Sequence, residues 1–191
     1  MRQLFVVLAL LLSGCGVNST NPFHTAKDVV YDDALVGTWQ TRDMPGFGRI
    51  EVSRWAPADD SYRVVIMDES DKVQMGVVRA YLCQIDDHKY LSLESEDSSP
   101  SGDPPTNRIW YATLVIDQID AKVKLRALTS GWLSAKLKGE PAAIKHEVFP
   151  VGDTGKNFYG LTATTEELRA FYLAHLSERS AWYPFEFTKK P

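Results

Sequence analysis

Apolar and polar residues alternate along most of this chain in short stretches that turn residues separate. In residues 122–127, for example, Val123 and Leu125 alternate with Lys124 and Arg126, which is the period of a half-buried strand. Clusters of Gly, Pro, Asp and Ser between such stretches indicate successive hairpins. The predicted strands are 34–41, 49–55, 62–67, 73–85, 90–94, 108–116, 122–127 and 144–149.

The apolar period changes to about 3.6 residues in two places, and each change predicts a helix. Near residues 131–138, the spacing of Trp132, Leu133 and Leu137 suits a short helix. Ser130 directly precedes this segment, and serine is a favoured residue at helix N-caps. We therefore expect Ser130 to cap the first helix.

A capping box marks the start of the second helix. Thr164 suits the N-cap position, and Glu167, three residues later, suits its partner. An apolar stripe at helical spacing follows the box. The stripe consists of Leu168, Phe171, Tyr172 and Leu176. The pattern predicts an amphipathic C-terminal helix from residue 165 to 175 or 176.

After this helix, residues 182–187 predict a final extended segment in which Phe185 and Phe187 share one face. About eight strands, the C-terminal helix and the short helix near 131–138 together indicate a mainly β fold. The expected architecture is a β-barrel or a strongly curved antiparallel sheet.

An apolar run with a basic start precedes these elements. Arg2 is followed by nine apolar residues, 4–12, and then by Ser13, Gly14 and Cys15. Nine helical residues rise about 14 Å, roughly half of the 30 Å that a bilayer core requires. The run therefore predicts a cleaved signal peptide rather than a transmembrane helix.

The segment Leu12-Ser13-Gly14-Cys15 resembles the lipobox of bacterial lipoproteins. This resemblance implies cleavage after Gly14, lipidation of Cys15 with diacylglycerol and palmitate, and a membrane anchor at Cys15. Because Gly16 rather than Asp follows the cysteine, it also implies the periplasmic face of the outer membrane in a Gram-negative cell envelope. The alternative is an ordinary secretory signal in which Cys15 is incidental.

The interpretation of the N-terminus as a lipoprotein signal divides the chain into three parts. Residues 1–14 are the expected signal peptide, and residues 15–31 are the lipidated N-terminus with a polar, flexible tether. Residues 32–191 are expected to form a single β-rich domain, because their number suits one core better than two.

In the first predicted strand, Gly37-Thr38-Trp39 resembles the glycine-x-tryptophan motif of lipocalins and related calycin barrels. In that family the tryptophan closes one end of an eight-stranded up-and-down barrel, and a late helix packs outside it. The resemblance implies a lipocalin-like barrel whose interior holds one small apolar ligand.

Composition excludes some partners. Without Arg2 in the leader, the formal net charge moves from −4 to about −5. A mildly acidic chain without a basic cluster argues against nucleic acid as a partner. With Cys15 lipidated, Cys83 has no cysteine to pair with, and its apolar neighbours predict a buried, inert thiol.

The histidines and the acidic pairs are the candidate catalytic and metal-binding residues. The four histidines, His24, His88, His146 and His175, lack the spacing of a zinc site. The acidic pairs Asp59-Asp60, Asp68-Glu69 and Asp86-Asp87 coincide with predicted turns, where aspartate caps the local backbone. We therefore expect no catalytic residues, no metal site and no cofactor.

Three functional hypotheses remain. The first is an envelope lipoprotein that binds a small apolar ligand or a protein partner, anchored to the membrane through Cys15. The second is a structural or assembly lipoprotein of an envelope complex without a small ligand. The third is an enzyme, which no recognised nucleophile motif supports. A wide apolar cavity would favour the first hypothesis.

Overall fold

A computed structural model of the protein describes residues 17–41, 47–68, 70, 72–96, 109–151 and 156–190. The predicted signal peptide and Cys15 lie outside these residues, as do residues 97–108. Twelve strands and two helices occur in the described part of the chain.

The strands are β1 (Asn18–Ser19), β2 (Val29–Val30), β3 (Gly37–Gln40), β4 (Phe47–Arg54), β5 (Ser61–Asp68), β6 (Gln74–Ile85), β7 (His88–Glu96), β8 (Ile109–Ile119), β9 (Lys122–Leu128), β10 (His146–Val151), β11 (Lys156–Leu161) and β12 (Trp182–Lys189). The helices are α1 (Ser130–Gly139) and α2 (Thr165–His175). Short 3-10 helices occur at Ala26–Asp28, Asp33–Leu35 and Arg179–Ala181.

Eight of these strands form a closed antiparallel barrel. Strands β3 to β9 pair with one another in chain order, and β12 pairs with both β9 and β3 to close the ring. Opposite β9, Trp182 pairs with Leu128, and opposite β3, Lys189 pairs with Trp39. The predicted mainly β barrel with a C-terminal helix is confirmed, and the predicted terminal extended segment supplies the strand that closes it.

Four further strands lie beside the barrel. Strand β8 pairs with β9 only from Leu114 onward, and nearer its start it pairs with β1. Strand β1 pairs in parallel with β11, which pairs with β10, so a small sheet branches from the barrel at β8. Strand β2 pairs with Leu82 and Cys83 of β6. The sequence did not predict β1, β2 or β11, and the predicted strand 144–149 corresponds to β10.

The N-terminal segment corrects the predicted tether. Val17, Asn18 and Phe23 are buried, and Phe23 is only 1% exposed. Residues 17–31 pack against the barrel instead of extending from it, so the tether prediction is wrong for them and the folded domain begins by residue 17. Local polarity misled the prediction, because Asn18 and Ser19 make sheet hydrogen bonds although their side chains are polar.

Successive side chains of the barrel strands point alternately into the barrel and away from it, and this produces two apolar regions. On β6, Ala80 and Leu82 face the barrel interior, and Tyr81 and Cys83 face outward. The inner core comprises Leu35, Trp39, Tyr62, Val64, Ile66, Met75, Val78, Ala80, Leu82, Ile116, Val123, Leu125 and Phe187. The outer core, between the barrel wall, the helices and the N-terminal segment, comprises Val17, Phe23, Cys83, Tyr90, Val115, Leu128, Leu133, Leu137, Ile144, Leu161, Ala163, Leu168, Phe171, Tyr172, Ala181 and Trp182.

The helix caps test two local predictions. At the start of α2, the Thr164 amide donates to Glu167 Oε2 at 2.8 Å, and the Glu167 amide donates to Thr164 Oγ1 at 3.3 Å, which confirms the capping box. At the start of α1 the N-cap is Thr129, whose Oγ1 accepts from the Trp132 amide. The prediction of Ser130 as that cap is wrong by one residue, because both positions carry a hydroxyl and only the backbone direction distinguishes them.

Candidate functional site

The barrel encloses a cavity of about 140 Å³. Each of its eight strands contributes at least one side chain to the wall, and Val17 and Leu35 complete it. The lining residues are Val17, Leu35, Trp39, Ile50, Val52, Tyr62, Val64, Ile66, Val78, Ala80, Leu91, Leu93, Ser95, Ala112, Thr113, Leu114, Val123, Leu125, Ala127, Phe185 and Phe187. An apolar cavity of similar size stays dry and holds a molecule as large as benzene.

Small side chains leave this space open. Ala80, Ala112 and Ala127 are buried at positions where the strand alternation points into the barrel. Larger apolar residues at the same positions would fill the volume, as leucine and isoleucine do in most small barrels. Each alanine fits the apolar alternation of its strand, so the sequence predicts burial there without predicting a void.

Among the residues that the structure describes, no charged side chain lines the cavity. Tyr62 directs its hydroxyl group to the backbone of Asp32, accepting from the amide at 2.7 Å and donating to the carbonyl at 3.2 Å. Burial raises the pKa of Tyr62 to about 12, so the phenol stays neutral. Ser95 and Thr113 are the other polar side chains of a wall that is mostly hydrocarbon. Such a wall favours uncharged apolar molecules, because an unpaired charge inside it would lose its hydration.

Trp39 lies near the end of the barrel where β3 begins and β12 ends, which we call the base. Its indole nitrogen donates to the carbonyl of Leu35 at 2.8 Å, and the side chain is 3% exposed. The ammonium group of Lys189, on β12, lies 5.2 Å from the ring centroid of Trp39. Leu35 and Trp39 both line the cavity, so together they close it on this side.

Gly37 has a physical reason to be glycine. Its φ is +141°, a conformation that residues with a Cβ rarely adopt. A Cβ at this position would also lie 2.6 Å from Cε of Lys189. The glycine therefore lets β3 start where Lys189 crosses it, and this arrangement places the lysine over Trp39. Gly37 and Trp39 of the Gly37-Thr38-Trp39 motif thus both act at the base of the barrel.

A seam interrupts the barrel wall between β8 and β9. Their pairing ends at Leu114 and Ala127, and beyond it β1 continues along β8 opposite Ala112. Val17 lies directly before β1, is 4% exposed, and lines the cavity together with residues on both sides of the seam. The described chain thus begins in the wall of the cavity.

Helix α2 fastens the segment that follows β1. Thr165 Oγ1 donates to the carbonyl of Pro22 at 2.8 Å, and Arg169 Nε donates to the carbonyl of Phe23 at 2.9 Å. Arg169 also forms a largely buried salt bridge with Asp28. Burial opposes ionisation of Asp28, but hydrogen bonds from Thr25 and the Arg169 guanidinium outweigh it and lower the pKa of the carboxyl group.

His24 lies in the segment that was predicted to be a tether, but the structure packs it against the barrel. Its ring packs against Tyr81, with the centroids 4.3 Å apart, and its buried Nδ1 has no hydrogen-bond partner among the described residues. Burial lowers the pKa of His24, and the nearby Asp28 only partly offsets this effect. The imidazole is therefore neutral near pH 7.

Cys83 is fully buried, as predicted. Burial raises the pKa of its thiol to about 12, so a thiolate does not form near pH 7. Strand β2 lies beside it in the sheet, where Val29 pairs with Cys83, and the thiol is packed in the outer core. These features make the thiol inert to modifying reagents.

The acidic turn residues cap backbone, as predicted. Asp68 accepts from the amides of Lys72 and Val73, and Asp59 accepts from the amide of Ser61. In addition, Asp59 forms a salt bridge with Arg79 that the sequence did not predict. Hydrogen bonds from Ser61 and the Arg79 guanidinium lower the pKa of Asp59.

The three other histidines lie apart. His88 begins β7, His146 begins β10, and His175 ends α2 beside Glu178. Among the residues that the structure describes, no three His, Cys, Asp or Glu side chains are grouped closely enough to hold a metal ion. In the same part of the chain, no helix has the length and apolar character needed to cross a membrane.

Comparison with known proteins adds no relative. No protein-family model, no curated protein and no solved structure matches the chain. Of the residues singled out in the sequence, the structure brings Trp39, Phe185 and Phe187 together around the cavity. The sequence missed the role of Val17, and the signal for it is slight, a single valine between glycine and a polar run.

Proposed function

We propose that this protein is a lipid-anchored lipoprotein of the bacterial cell envelope whose barrel binds a small apolar ligand. The lipobox Leu12-Ser13-Gly14-Cys15 supports the anchor, with Cys15 as the lipidated residue. The observation that carries the binding function is the uncharged, hydrocarbon-lined cavity of about 140 Å³ inside the barrel.

The chemistry of the wall limits the ligand. A hydrocarbon group that enters the cavity gains about 0.8 kcal/mol for each CH₂ group removed from water. A charged group inside the barrel would find no counter-charge among the described side chains that line the cavity. The ligand is therefore neutral, or carries its polar group outside the cavity.

The geometry of the base supports a lipocalin-like mode of binding. Gly37 and Trp39 occupy the first barrel strand, Trp39 closes one end of the cavity, and Lys189 lies over its ring. Helix α2 packs outside the barrel through Leu168 and Phe171. We propose that ligand enters the barrel away from this closed base.

Native mass spectrometry of the protein extracted gently from envelopes tests the binding function. We expect a reproducible added mass of the size of a small apolar molecule. A co-purifying protein without added small mass would instead favour the assembly lipoprotein, and would contradict ligand binding.

A thermal-shift experiment tests the cavity directly with toluene, which is uncharged and small. Toluene should raise the melting temperature of the wild-type protein, because a ligand that binds only the folded state stabilises it. Ala80→Leu places a larger side chain in the cavity and should abolish the shift. Ala58→Leu, at an exposed position, is the matched control and should keep it. Equal shifts in both variants would contradict binding in the barrel.

Lipidation has a separate test. Cells that express the full chain should incorporate radioactive palmitate into the protein, and Cys15→Ser should remove both the label and the cleavage of the leader. If the variant is still labelled and processed, Cys15 is not the lipidated residue.

A further inference from the structure

We infer that the cavity accommodates one uncharged aromatic ring, and that Leu35 sets this size limit by closing the barrel at its base. Both assignments rest on the proposed binding of a small apolar ligand. They add the chemical class of that ligand and the residue that determines how large it can be.

Leu35 lies outside the strands that form the barrel wall. It ends a 3-10 helix at Asp33–Leu35, directly before β3. Its side chain is 5% exposed, belongs to the inner core and lines the cavity. The width of a barrel is determined by the number of its strands. The strands therefore set how wide the cavity is, whereas Leu35 limits how far it extends towards the base.

Residues 32–36, which we call the plug, are held in place by side chains of the barrel wall. Trp39 Nε1, on β3, donates to the carbonyl of Leu35 at 2.8 Å. The hydroxyl group of Tyr62, on β5, accepts from the Asp32 amide at 2.7 Å and donates to the Asp32 carbonyl at 3.2 Å. Both ends of the 3-10 helix are thus fixed to the wall, which makes Leu35 a rigid end to the cavity.

The volume of the cavity limits the ligand to a single ring. An apolar cavity of about 150 Å³ holds benzene, and the cavity of this barrel is about 140 Å³. A fused pair of rings is longer than one ring by nearly a full ring width. Because protein interiors are closely packed, the wall cannot yield by that amount while Leu35 stays in place.

The wall favours a flat aromatic ring over a flexible chain. Strands β3, β5 and β12 contribute four aromatic side chains to it, Trp39, Tyr62, Phe185 and Phe187. Aromatic rings gain offset or edge-to-face contacts with one another in addition to the burial of apolar area. A rigid ring also loses less conformational freedom than an alkyl chain when it is bound. The ligand class is therefore a monocyclic aromatic compound without a charge.

Thermal shifts with three ligands test the size limit and the ligand class, with each ligand supplied at the same fraction of its saturation in buffer. Toluene should raise the melting temperature of the wild-type protein, n-hexane should raise it less, and naphthalene should not raise it. Leu35→Ala shortens the plug, so naphthalene should stabilise this variant. Leu128→Ala is the matched control, because Leu128 is 1% exposed in the outer core, and it should keep the wild-type order.

Two milder variants keep the test valid if Leu35→Ala does not fold. Leu35→Val is one carbon shorter and should shift the ratio of affinities from toluene towards butylbenzene by about tenfold, as one methylene group in an apolar pocket does. Tyr62→Phe keeps the ring but removes the hydroxyl group that holds Asp32, so it should shift the ratio in the same direction by a smaller factor. Titration calorimetry of each variant measures the ratio.

The outcomes separate the size limit from the binding function. If wild-type protein binds naphthalene as well as Leu35→Ala does, if Leu128→Ala gains naphthalene binding too, or if Leu35→Val keeps the wild-type ratio, Leu35 does not set the limit, although toluene binding stands. Equal shifts with n-hexane and toluene would overturn the aromatic class. No shift of the wild-type protein with any of the three ligands would overturn the proposed binding function together with both assignments.

Discussion

The inner and outer cores share strands β6 to β9 but differ in what fills them. Inside the barrel, alanines at 80, 112 and 127 leave an open cavity. Outside it, aromatic rings fill the space, and the ring of Phe23 lies 4.7 Å from Tyr90 between centroids. One set of strands thus supports a tightly packed region on one face and an open region on the other.

The inner and outer cores also differ in the charged and polar side chains that they contain. The wall of the inner core, as far as the described ranges show it, has no charged side chain. The outer core is bordered by the salt bridge of Asp28 and Arg169, and it contains buried hydroxyl groups of Tyr90 and Ser92 without hydrogen-bond partners in the described residues. The comparison indicates that the outer core specifies how the N-terminal segment docks, whereas the inner core keeps an open, apolar cavity.

The largest expected difference between the cores comes from leucine truncation. Leu168→Ala removes a side chain that is 1% exposed and packed in the outer core. We expect it to lower the free energy of unfolding by about 4 kcal/mol. Leu125→Ala, beside the cavity, should lower it by only about 2.5 kcal/mol, because fewer contacts are lost. Urea titration of both variants measures the difference, and equal losses would refute the contrast in packing.

Enlarging a buried alanine should also cost more stability in the outer core than in the inner core. Ala163 is fully buried in the outer core, so Ala163→Leu overpacks it and should cost about 2 kcal/mol of stability. Ala80→Leu places the same additional atoms in the cavity and should change stability by less than about 1 kcal/mol. Denaturation midpoints compare the two, and a larger loss in Ala80→Leu would show that the barrel interior is already full.

Weakening the salt bridge at the edge of the outer core should have a smaller effect on the free energy of unfolding. Asp28→Asn weakens the salt bridge to Arg169 and should lower stability by about 1.5 kcal/mol. Proteolysis of the native protein should then increase within the N-terminal segment, because its contact with α2 is loosened. Asp60→Asn, at an exposed salt bridge with Arg54, is the control and should cost less than about 0.5 kcal/mol.

The smallest expected effect is a pH dependence specific to the outer core. Burial lowers the pKa of His24 from 6.5, so the unfolded chain binds a proton more readily than the folded protein. The stability that the neutral His24 contributes is fully present above pH 6.5. It falls as the pH drops from 6.5 through the lower pKa that His24 has in the folded protein. His24→Phe should reduce this decline, whereas His88→Gln, at an exposed position, should not. The change in the urea midpoint between pH 7.5 and pH 5.5 measures this decline. The same change in the wild-type protein and in both variants would contradict the prediction.

Much of the barrel was predictable because alternation is a local property. The period of Val123 and Leu125 follows from the sequence, and the structure places both residues in the inner core. The capping box of α2 was likewise predictable, since Thr164 and Glu167 interact across one turn. Strand β11 escaped prediction because Gly160 interrupts it, and glycine is required there since a Cβ would lie 2.8 Å from the ring of Trp110.

The cavity itself was not predictable from residue patterns. Ala80 follows the same alternation as Val78 and Leu82, so its position in the sequence indicates burial only. Whether a small buried residue leaves a void depends on side chains from the opposite wall, which are distant in sequence. Similarly, the polar run around Asn18 predicted a tether, and only its pairing with β8 and β11 shows otherwise.

The sequence by itself determined the strand period, the two helices, the buried thiol of Cys83 and the expectation of a lipid anchor at Cys15. Each of these depends on residues close together in the chain. The tertiary structure decided that the strands close into a ring, that an apolar cavity remains inside it, and that residues 17–31 belong to the barrel wall and its cover. These features depend on contacts between residues far apart in sequence, such as Phe187 with Val123 across the closing strands, which no local pattern records.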